Sequence, residues 1–213
     1  MNFCILIPTI NRKDLLIEAL DFYTTHMPNT EIFVWDNGKQ KIPPYPRTTV
    51  FEAEYNYGVA ASWNALIDIA NEKGYKNYLI LNDDVILRCG EGIVNQIIEK
   101  GEGLIFHSKS FHRCRPFYNW SVFLLRKSTY DHIGRFDENF KRCYFEDNDY
   151  QYRMRLAGIP IVYEDDLNPE IYRNSQSILK DPILSNYIDN RDYFVKKWGG
   201  MPDSETFKTP FNE

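Results

Sequence analysis

Short apolar runs alternate, over the first half of the chain, with stretches in which apolar residues recur every three or four positions. The runs are typical of buried strands, and the recurring pattern is typical of amphipathic helices. The strands predicted in this half are 3–7, 31–35, 50–53 and 78–81. The helices predicted between them cover about 15–23 and 59–71. This alternation predicts an α/β domain with a mostly parallel central sheet flanked by helices.

The second half of the chain has a weaker pattern of the same kind. Strands are expected near 104–107 and 121–125, and helices at about 92–100, 147–157 and 183–198. The chain then ends in a polar segment. We therefore expect a single domain over residues 1–200, followed by a tail or linker over 201–213 that suits a connection to further domains.

Composition and charge exclude several classes of function. The 213 residues have a net charge of −5, whereas a general nucleic-acid binder normally has a basic surface. No apolar run approaches the ~18 residues of a membrane-spanning helix. The four cysteines are far apart and lack the spacing of a metal site, which indicates reduced thiols in the cytoplasm.

Polar residues follow the predicted strands where these end, at 9–12, 36–38 and 82–84. A fourth polar group, 56–58, lies just before a predicted helix, whose free N–H groups favour an anion. Ligands of open α/β sheets bind outside the carboxyl ends of the strands. The carboxylates of 82–84 suit a hard divalent cation, and a cation held there suits a diphosphate. Ordinary strand-ending turns are the alternative explanation for each group.

Six short segments in the first 150 residues match motifs of one enzyme family, in the order in which that family has them. The six segments are 7–12 (IPTINR), 34–38 (VWDNG), 56–64 (NYGVAASWN), 81–85 (LNDDV), 133–138 (IGRFDE) and 145–149 (FEDND). Through them the chain resembles the family-2-like glycosyltransferases of the GT-A fold. The chain as a whole is also similar to glycosyltransferase domains of chlorella viruses.

The resemblance implies transfer of a sugar from a nucleoside-diphosphate donor, most often a UDP-sugar, to a hydroxyl group of a glycan or glycoprotein acceptor. Asp147 is the implied catalytic carboxylate, which removes the proton of the acceptor hydroxyl in inverting members. Asp84 is the implied ligand of Mn²⁺ or Mg²⁺. The implied nucleotide-sugar-binding residues are Pro8, Thr9, Asn11, Arg12, Asp36, Asn56, Gly58, Asn64, Asn82 and Asp83. Candidate contacts to the acceptor or the phosphates are Trp120, Glu146 and Arg173.

Structural roles remain open for several of these residues. Asp147 fits the N-cap of its predicted helix, and Asp36 fits an Asx-type turn. Asn64 fits a buried hydrogen bond within the protein. Trp120 fits an apolar core, and Gly58 fits an ordinary turn.

Two departures from the family pattern affect the metal site. Asn82 stands where the family more often has its first Asp. The segment 171–177 contains no histidine, where many members have a metal ligand, and Arg173 in that segment is an alternative phosphate contact. Asp149 and Arg153 are four residues apart on a predicted helix, and we expect them to form a structural ion pair.

Two other functions fit the same fold class. A nucleotide-sugar-forming nucleotidyltransferase is expected to have a glycine-rich phosphate loop after its first strand, and 8–13 contains no glycine. A catalytically inactive nucleotide- or sugar-binding domain fits Asn82 and the missing histidine, whereas Asp84 and Asp147 favour an enzyme. Inversion is the usual stereochemical outcome in the family, and the sequence leaves retention open.

Overall fold

The protein is built around a seven-stranded sheet. The computed structural model describes residues 3–87, 89–100, 104–106, 120–163, 169–172 and 186–213. The strands are β1 (Cys4–Thr9), β2 (Ile32–Asp36), β3 (Thr48–Glu52), β4 (Asn77–Leu81), β5 (Val85–Leu87), β6 (Leu104–Phe106), β7 (Val122–Arg126), β8 (Ile161–Tyr163) and β9 (Pro169–Tyr172). The helices are α1 (Lys13–His26), α2 (Val59–Glu72), α3 (Glu91–Lys100), α4 (Lys127–Ile133), α5 (Glu146–Leu156) and α6 (Tyr187–Trp198).

The strand order of the large sheet is β3-β2-β1-β4-β7-β6-β8. Strands β1 to β4 run parallel to one another, β7 is antiparallel to both β4 and β6, and β8 is parallel to β6. Strands β5 and β9 form a separate antiparallel pair. The predicted mostly parallel sheet is therefore confirmed, and the carboxyl ends of β1 to β4 lie at one edge.

Alternate residues of the central strands divide between two apolar layers. In β1, Ile5 and Ile7 pack in the layer that contains α1 and α3, while Cys4 and Leu6 pack in the layer that contains α2, α4 and α5. Strand β4 alternates in the same way. Because helices cover both faces of the sheet, these strands are apolar throughout, and this continuous apolar character made them recognisable in the sequence.

The predicted long elements match the structure to within about three residues in the described part of the chain. The start of the helix predicted over 183–198 lies outside the described residues. Sequence analysis missed β5, α4, β8 and β9, which have three to seven residues each. Elements this short do not complete enough periods for a hydrophobic pattern to emerge.

The C-terminal segment 201–213 lies on the surface formed by α5 and α6. The Tyr152 hydroxyl donates a hydrogen bond of 2.7 Å to the backbone carbonyl of Phe207. Arg155 forms an ion pair of 3.0 Å with Glu205. These contacts hold the segment, predicted as a tail or linker, against the domain. In the part of the chain that the structure describes, none of the helices has the length and apolar character needed to span a bilayer.

Candidate active site

The acidic pair Asp83 and Asp84 follows β4 at the carboxyl edge of the sheet. Strand β1, which ends at Thr9, pairs with β4. On the far side of β1 lie β2 and β3, and on the far side of β4 lies β7. A crevice where the strand order reverses in this way is the usual ligand site of open α/β sheets. The Thr9 hydroxyl donates a hydrogen bond of 2.7 Å to Oδ2 of Asp83. The structure therefore brings together two of the polar groups predicted at this edge.

Burial changes the protonation equilibrium of the acidic pair. Both carboxyl groups are buried, at 8% and 6% exposure for Asp83 and Asp84. Burial raises the pKa of Asp83 to about 7, the charge of Asp84 acts in the same direction, and the hydrogen bond from Thr9 opposes the rise. Two adjacent buried carboxylates concentrate negative charge at this point of the edge, which favours a bound cation.

Asp36, at the end of β2, organises the turn that follows it. Its carboxylate accepts hydrogen bonds from the backbone N–H groups of Gly38 (2.8 Å) and Gln40 (2.6 Å). The Gln40 side-chain amide donates to Asp36 (3.0 Å) and to the Thr9 hydroxyl (3.1 Å). The Asx-type turn that the sequence left open is therefore present, and Asp36 is fully buried. A nucleoside contact by Asp36 stays a prediction.

Asn37 connects the end of β2 to the loop before α2. Its backbone N–H donates to the Thr9 carbonyl at 3.0 Å, and its Oδ1 accepts from the backbone N–H of Tyr57 at 3.1 Å. Next to Tyr57, the side-chain oxygen of Asn56 accepts from the N–H of Gly58 at 2.9 Å. The predicted group 56–58 therefore lies beside the ends of β1 and β2. Sequence analysis gave Asn37 no role of its own within the group 36–38, because its partners lie in other segments of the chain.

Gly58 lies against the backbone of the loop that precedes α5. Its φ is +89°, and a Cβ at this position would meet the backbone nitrogen of Arg142 at 2.7 Å. The N–H of Val59, the first residue of α2, donates to the Arg142 carbonyl at 2.6 Å. Glycine is therefore required here by a close approach of two backbone segments. This contact also places the start of α5 at the same edge as 56–58.

Asn64 is fully buried and makes four hydrogen bonds within the protein. Its amide nitrogen donates to the Phe136 carbonyl (2.9 Å) and to Glu138 (2.8 Å). Its Oδ1 accepts from the Phe136 N–H (3.0 Å) and from the Tyr130 hydroxyl (3.1 Å). These bonds use both donors and both lone pairs of the amide. They favour buried hydrogen bonding within the protein as the role of Asn64, which was the alternative to a nucleotide contact.

The remaining predicted nucleotide-binding residues near β1 differ in exposure. Pro8 is buried within β1, and Asn11 is exposed with φ of +54°. Arg12 is buried and pairs through Nε with Asp14 at 3.1 Å, while its Nη1 has no hydrogen-bond partner among the described residues. A buried donor without a partner is expected to meet an anion or a water molecule when the site is filled.

Asn82 and Trp120 lie on the side of the site next to β7. Asn82 donates from Nδ2 to the Ser121 hydroxyl at 3.0 Å, which fixes the start of the acidic segment. Trp120 is 6% exposed and packs edge-on against Phe123 and Tyr150, at ring-centroid distances of 4.9 and 6.1 Å. The core role that the sequence left open for Trp120 is therefore what the structure shows.

Glu146 and Asp147 are the first two residues of α5. Phe145 occupies the N-cap position with φ of +73° and makes no side-chain cap, so the N-cap alternative for Asp147 is wrong. The Asp147 carboxylate accepts a hydrogen bond of 2.8 Å from the backbone N–H of Asn148. Asp147 is therefore not the N-cap residue, although its carboxylate binds one of the N–H groups of the first turn.

The two carboxyl groups at the start of α5 are both destabilised in their charged form. Burial raises the pKa of Glu146 well above its ordinary value, and the charge of Asp147 adds to this rise. Burial also raises the pKa of Asp147, against the opposing effect of backbone hydrogen bonds. Glu146 is 5% exposed, and in the part of the chain that the structure describes its Oε2 has no hydrogen-bond partner. Raised carboxyl pKa values of this kind suit groups that exchange a proton near neutral pH.

The loop 141–145 leads into these carboxylates with a strained backbone. Three of its residues have left-handed φ values, namely Arg142 (+58°), Tyr144 (+83°) and Phe145 (+73°). Asn190 of α6 holds the loop, since its Nδ2 donates to three loop carbonyls at 2.8, 2.9 and 3.0 Å. Its Oδ1 accepts from the N–H of Lys141 at 3.0 Å. Sequence analysis missed Asn190, because its partners lie far away along the chain.

Asp149 attaches α5 to α6. It is fully buried and binds Nε of Arg153 at 2.9 Å, Nζ of Lys197 at 2.6 Å and Nε1 of Trp198 at 2.8 Å. Lys197 also pairs with Asp137 at 2.7 Å. The predicted ion pair between Asp149 and Arg153 is confirmed. The network fixes the helix that bears Asp147 by charged hydrogen bonds inside the domain.

Several solved glycosyltransferases have the same arrangement of strands and helices. A mannosyltransferase from Pyrobaculum calidifontis, in complex with GDP-Man and Mn²⁺, matches 82% of this chain with a TM-score of 0.65 and 14% identity. TarS from S. aureus, residues 1–349, matches 92% with a TM-score of 0.60 and 16% identity. GalNAc-T7 with UDP, GalNAc and Mn²⁺ matches 93% with a TM-score of 0.68 and 13% identity. The chain has the GT-A fold.

This GT-A domain is shorter than the proteins that it resembles. It spans 58% of the mannosyltransferase, 73% of the TarS fragment and 48% of GalNAc-T7. No protein-family model and no curated protein sequence matches the chain. At identities this low, the structural similarity shows the fold alone.

The acidic edge of the GT-A domain fits a hard divalent cation that takes its remaining ligands from phosphate oxygens and water. Among the described residues, no group of three or more His, Cys, Asp and Glu side chains is arranged to hold a metal ion. Mg²⁺ is commonly held by one or two carboxylates together with phosphate oxygens and water. The buried carboxylates of Asp83 and Asp84 are oxygen donors of this type, so these residues fit Mn²⁺ or Mg²⁺ bound with a diphosphate. Arg173, predicted to contact the phosphates, lies outside the described residues.

Proposed function

We propose that the protein is a metal-dependent glycosyltransferase of the family-2 type, which moves a sugar from a nucleoside-diphosphate donor to a hydroxyl group of a glycan acceptor. A UDP-sugar is the donor that we propose first. The main support is the hydrogen bond of 2.7 Å between Thr9 and Asp83, which joins a buried acidic pair to the end of β1 at the carboxyl edge of the GT-A sheet. The solved neighbours that contain UDP or GDP-Man together with Mn²⁺ add to this support.

The donor diphosphate is proposed to lie between the acidic edge and the start of α2. Arg12 has a buried Nη1 without a partner, which suits a phosphate oxygen. Asp84 would hold Mn²⁺ or Mg²⁺, with Asp83 next to it. When bound, the cation supplies positive charge that neutralises the departing nucleoside diphosphate. The first turn of α2 adds the positive end of the helix dipole near the donor, while the N–H groups of Gly58 and Val59 are already bonded within the protein.

Asp147 is proposed to act as the general base. Its carboxylate takes the proton of the acceptor hydroxyl while the acceptor oxygen forms a bond to the anomeric carbon of the sugar. The bond between that carbon and the diphosphate oxygen breaks, and the electron pair leaves with the nucleoside diphosphate. The raised pKa of Asp147 makes this carboxylate a stronger base than an ordinary exposed aspartate. Inversion at the anomeric carbon follows from this single displacement.

The cytoplasm is the compartment that we propose for this reaction. Cys4, Cys89 and Cys143 are buried thiols that are not joined in disulfides. Burial raises the pKa of Cys4 and Cys143, which keeps both thiols protonated and unreactive. Free buried thiols are typical of proteins from reducing compartments.

The proposal is tested by calorimetric titration of UDP, GDP, dTDP and CMP into the purified protein, with Mn²⁺ and with EDTA. We expect at least one nucleoside diphosphate to bind, and to bind at least about 10-fold more weakly in EDTA, since charged contacts exceed roughly 1.4 kcal/mol. We expect Asp84→Asn to remove most of this difference between Mn²⁺ and EDTA. UDP is expected to give the tightest binding.

The matched control is Asp131→Asn, which removes a carboxylate from the exposed pair with Lys127 on α4. This variant should retain the metal response of the wild-type protein. Absence of nucleotide binding under every condition would contradict the proposed function. An unchanged metal response in Asp84→Asn would remove Asp84 from the proposed metal site.

A further inference from the structure

An exposed aromatic ring lies against the residue that precedes α5. Tyr187, the first residue of α6, is 47% exposed. Its ring is 5.2 Å from the ring of Phe145, the residue that precedes Glu146. Trp120, the aromatic residue that the sequence suggested as an acceptor contact, is instead buried at 6% exposure. Among the described residues, Tyr187 of α6 is thus an exposed aromatic residue close to the start of α5.

Tyr144 extends this aromatic surface towards the carboxylates. It is half-buried, and its ring meets that of Tyr187 edge to face, at a centroid distance of 5.5 Å and an interplanar angle of 75°. Burial raises the pKa of Tyr144, and the charges of Glu146 and Asp147 act in the same direction. Tyr144 stands two residues before Glu146 along the chain, so the pair of tyrosine rings adjoins the start of α5.

Tyr144 has a strained backbone conformation that hydrogen bonds from Asn190 hold in place. Its φ of +83° is unfavourable for a residue with a large side chain. Asn190 binds the Tyr144 carbonyl at 3.0 Å and two other carbonyls of the same loop. Strained backbone that is held in this way is concentrated at functional sites, because the strain costs stability without improving packing.

An aromatic face next to acidic groups suits one chemical class of ligand, a neutral sugar ring. The C–H groups on one face of a pyranose are weakly positive and pack on the negative face of an aromatic ring. The hydroxyl groups at its edge are donors for carboxylates. Glu146 and Asp147 are acids, so they bring no positive charge that would pair with an anionic polymer at this place. These features match an uncharged glycan better than a phosphorylated or acidic one.

We propose that Tyr144 and Tyr187 form an acceptor subsite that stacks on a pyranose ring of a neutral glycan and presents its hydroxyl group to Asp147. This proposal rests on the proposed function and names the acceptor side of the same site. Tyr187 contributes the exposed ring face, and Tyr144 orients that ring from the loop before α5. The subsite is distinct from the nucleotide edge formed by Thr9 and Asp83.

The experiment is saturation-transfer NMR with xylobiose and the methyl pyranosides of glucose, galactose, mannose and xylose, in the presence of Mg²⁺ and the nucleoside diphosphate that binds most tightly. We expect the wild-type protein to bind at least one of these sugars. Tyr187→Ala should weaken that binding by about 3- to 10-fold, the effect of one aromatic contact. Tyr187→Phe keeps the ring and should stay within about twofold of the wild-type protein.

Ile188→Ala is the matched control, since Ile188 is the next residue of α6 and is 62% exposed. It should bind sugars as the wild-type protein does, and all variants should keep the wild-type affinity for the nucleotide. Equal sugar binding by Tyr187→Ala and the wild-type protein would overturn the subsite, as would the absence of any sugar binding while the nucleotide binds.

Failure of the proposed function would give a different result. If no nucleotide binds but a sugar binds and is lost in Tyr187→Ala, the aromatic subsite stands and the transferase function falls. The two proposals can therefore be contradicted separately. Circular dichroism of Tyr187→Ala provides the check that the variant is folded.

Discussion

At the scale of single residues, buried carboxyl groups dominate the electrostatics of the candidate site. Asp83, Glu146 and Asp147 all have raised pKa values, and burial is the first cause of each. A carboxylate that is buried without a partner destabilises the folded state at neutral pH, because the unfolded chain ionises more easily. Such a cost is expected at a site that binds charged ligands and moves protons.

Glu146→Gln is expected to stabilise the protein at neutral and alkaline pH. The folded-state pKa of Glu146 is raised, so its ionisation favours the unfolded chain as pH rises above the unfolded pKa. A gain of about 1 kcal/mol would raise Tm by roughly 2–4 °C in a chain of this size. Below the unfolded pKa of a glutamate both states are protonated, and the gain should disappear. Thermal unfolding at pH 8 and pH 4 measures both effects.

The control for this variant is Glu72→Gln at the exposed end of α2. It removes a carboxylate from the surface and should change Tm by less than about 1 °C at either pH. A lower Tm for Glu146→Gln at pH 8 would show that Glu146 has a stabilising partner and is not a strained buried acid.

Turnover is expected to fall at low pH with the protonation of Asp147. A general base must be deprotonated, so kcat should decrease as pH falls through its pKa. Because burial raises the pKa of Asp147, the midpoint should lie above the ordinary value of about 4 for aspartate. The measurement is kcat against pH at saturating donor and acceptor. A rate that stays constant down to pH 4 would exclude Asp147 as the base.

At the scale of structural elements, the loop 141–145 lies between the start of α5 and the edge of the sheet where the nucleotide is proposed to bind. One of its carbonyls accepts from the first N–H of α2, and Gly58 packs on the same backbone. Asn190 of α6 holds the loop from the other side. The loop therefore sets the position of Asp147 relative to the helix terminus that is proposed to face the donor.

Asn190→Ala is expected to lower kcat by roughly 10- to 100-fold, because a small displacement of the base is costly in a group-transfer reaction. The affinity for the nucleotide should remain within about twofold, since the side-chain hydrogen bonds of Asn190 within the described residues go to the loop 141–145. Loss of buried hydrogen bonds should also lower the free energy of unfolding by about 1–3 kcal/mol. Steady-state kinetics, calorimetry and chemical denaturation measure the three quantities.

Asn186→Ala is the matched control for Asn190→Ala. Asn186 precedes α6 and its side chain contacts Asp189 at 3.3 Å, away from the loop. This variant should keep wild-type kcat. Equal losses of kcat and of nucleotide affinity in Asn190→Ala would assign Asn190 to general stability and not to positioning of Asp147.

Elements differ in how far the sequence predicts them. The central strands were predictable because residues of both faces are apolar, and α2 because its apolar residues recur on one face. Helix α5 is mostly polar, and the motif around Asp147 revealed its start better than periodicity did. The left-handed backbone of Tyr144 and Phe145 has no sequence signal, since neither residue is glycine. The contacts that hold it, made by Asn190, are long-range and depend on the folded chain.

At the scale of the whole molecule, the GT-A sheet brings segments from the first 150 residues to one edge. Their positions at strand ends predicted that 9–12 and 82–84 lie at one edge of the sheet, and the hydrogen bond between Thr9 and Asp83 agrees with this. The sequence could not separate ligand contacts from structural ones at Asn64 and Trp120. Both depend on burial by distant segments, which a local pattern does not encode.

Contacts from α6 and from the segment 201–213 stabilise α5, the helix that bears Asp147. Lys197 and Trp198 of α6 bind Asp149, and the segment 201–213 lies on α5 and α6. The helix that bears Asp147 is therefore supported by the last residues of the domain, far from it in sequence. Truncation before α6 would remove these supports as well as Asn190 and Tyr187.

The most direct test of the account is the effect of Asp147→Asn on sugar transfer and on nucleotide binding in the same preparation. Transfer is followed as release of the nucleoside diphosphate from its sugar donor in the presence of Mn²⁺ and a neutral glycan. We predict that kcat falls by about 100-fold or more, as expected for loss of a general base, while the Kd of the nucleoside diphosphate changes by less than about twofold. Full activity of Asp147→Asn would contradict the account, because the carboxylate at the start of α5 would then play no part in the reaction.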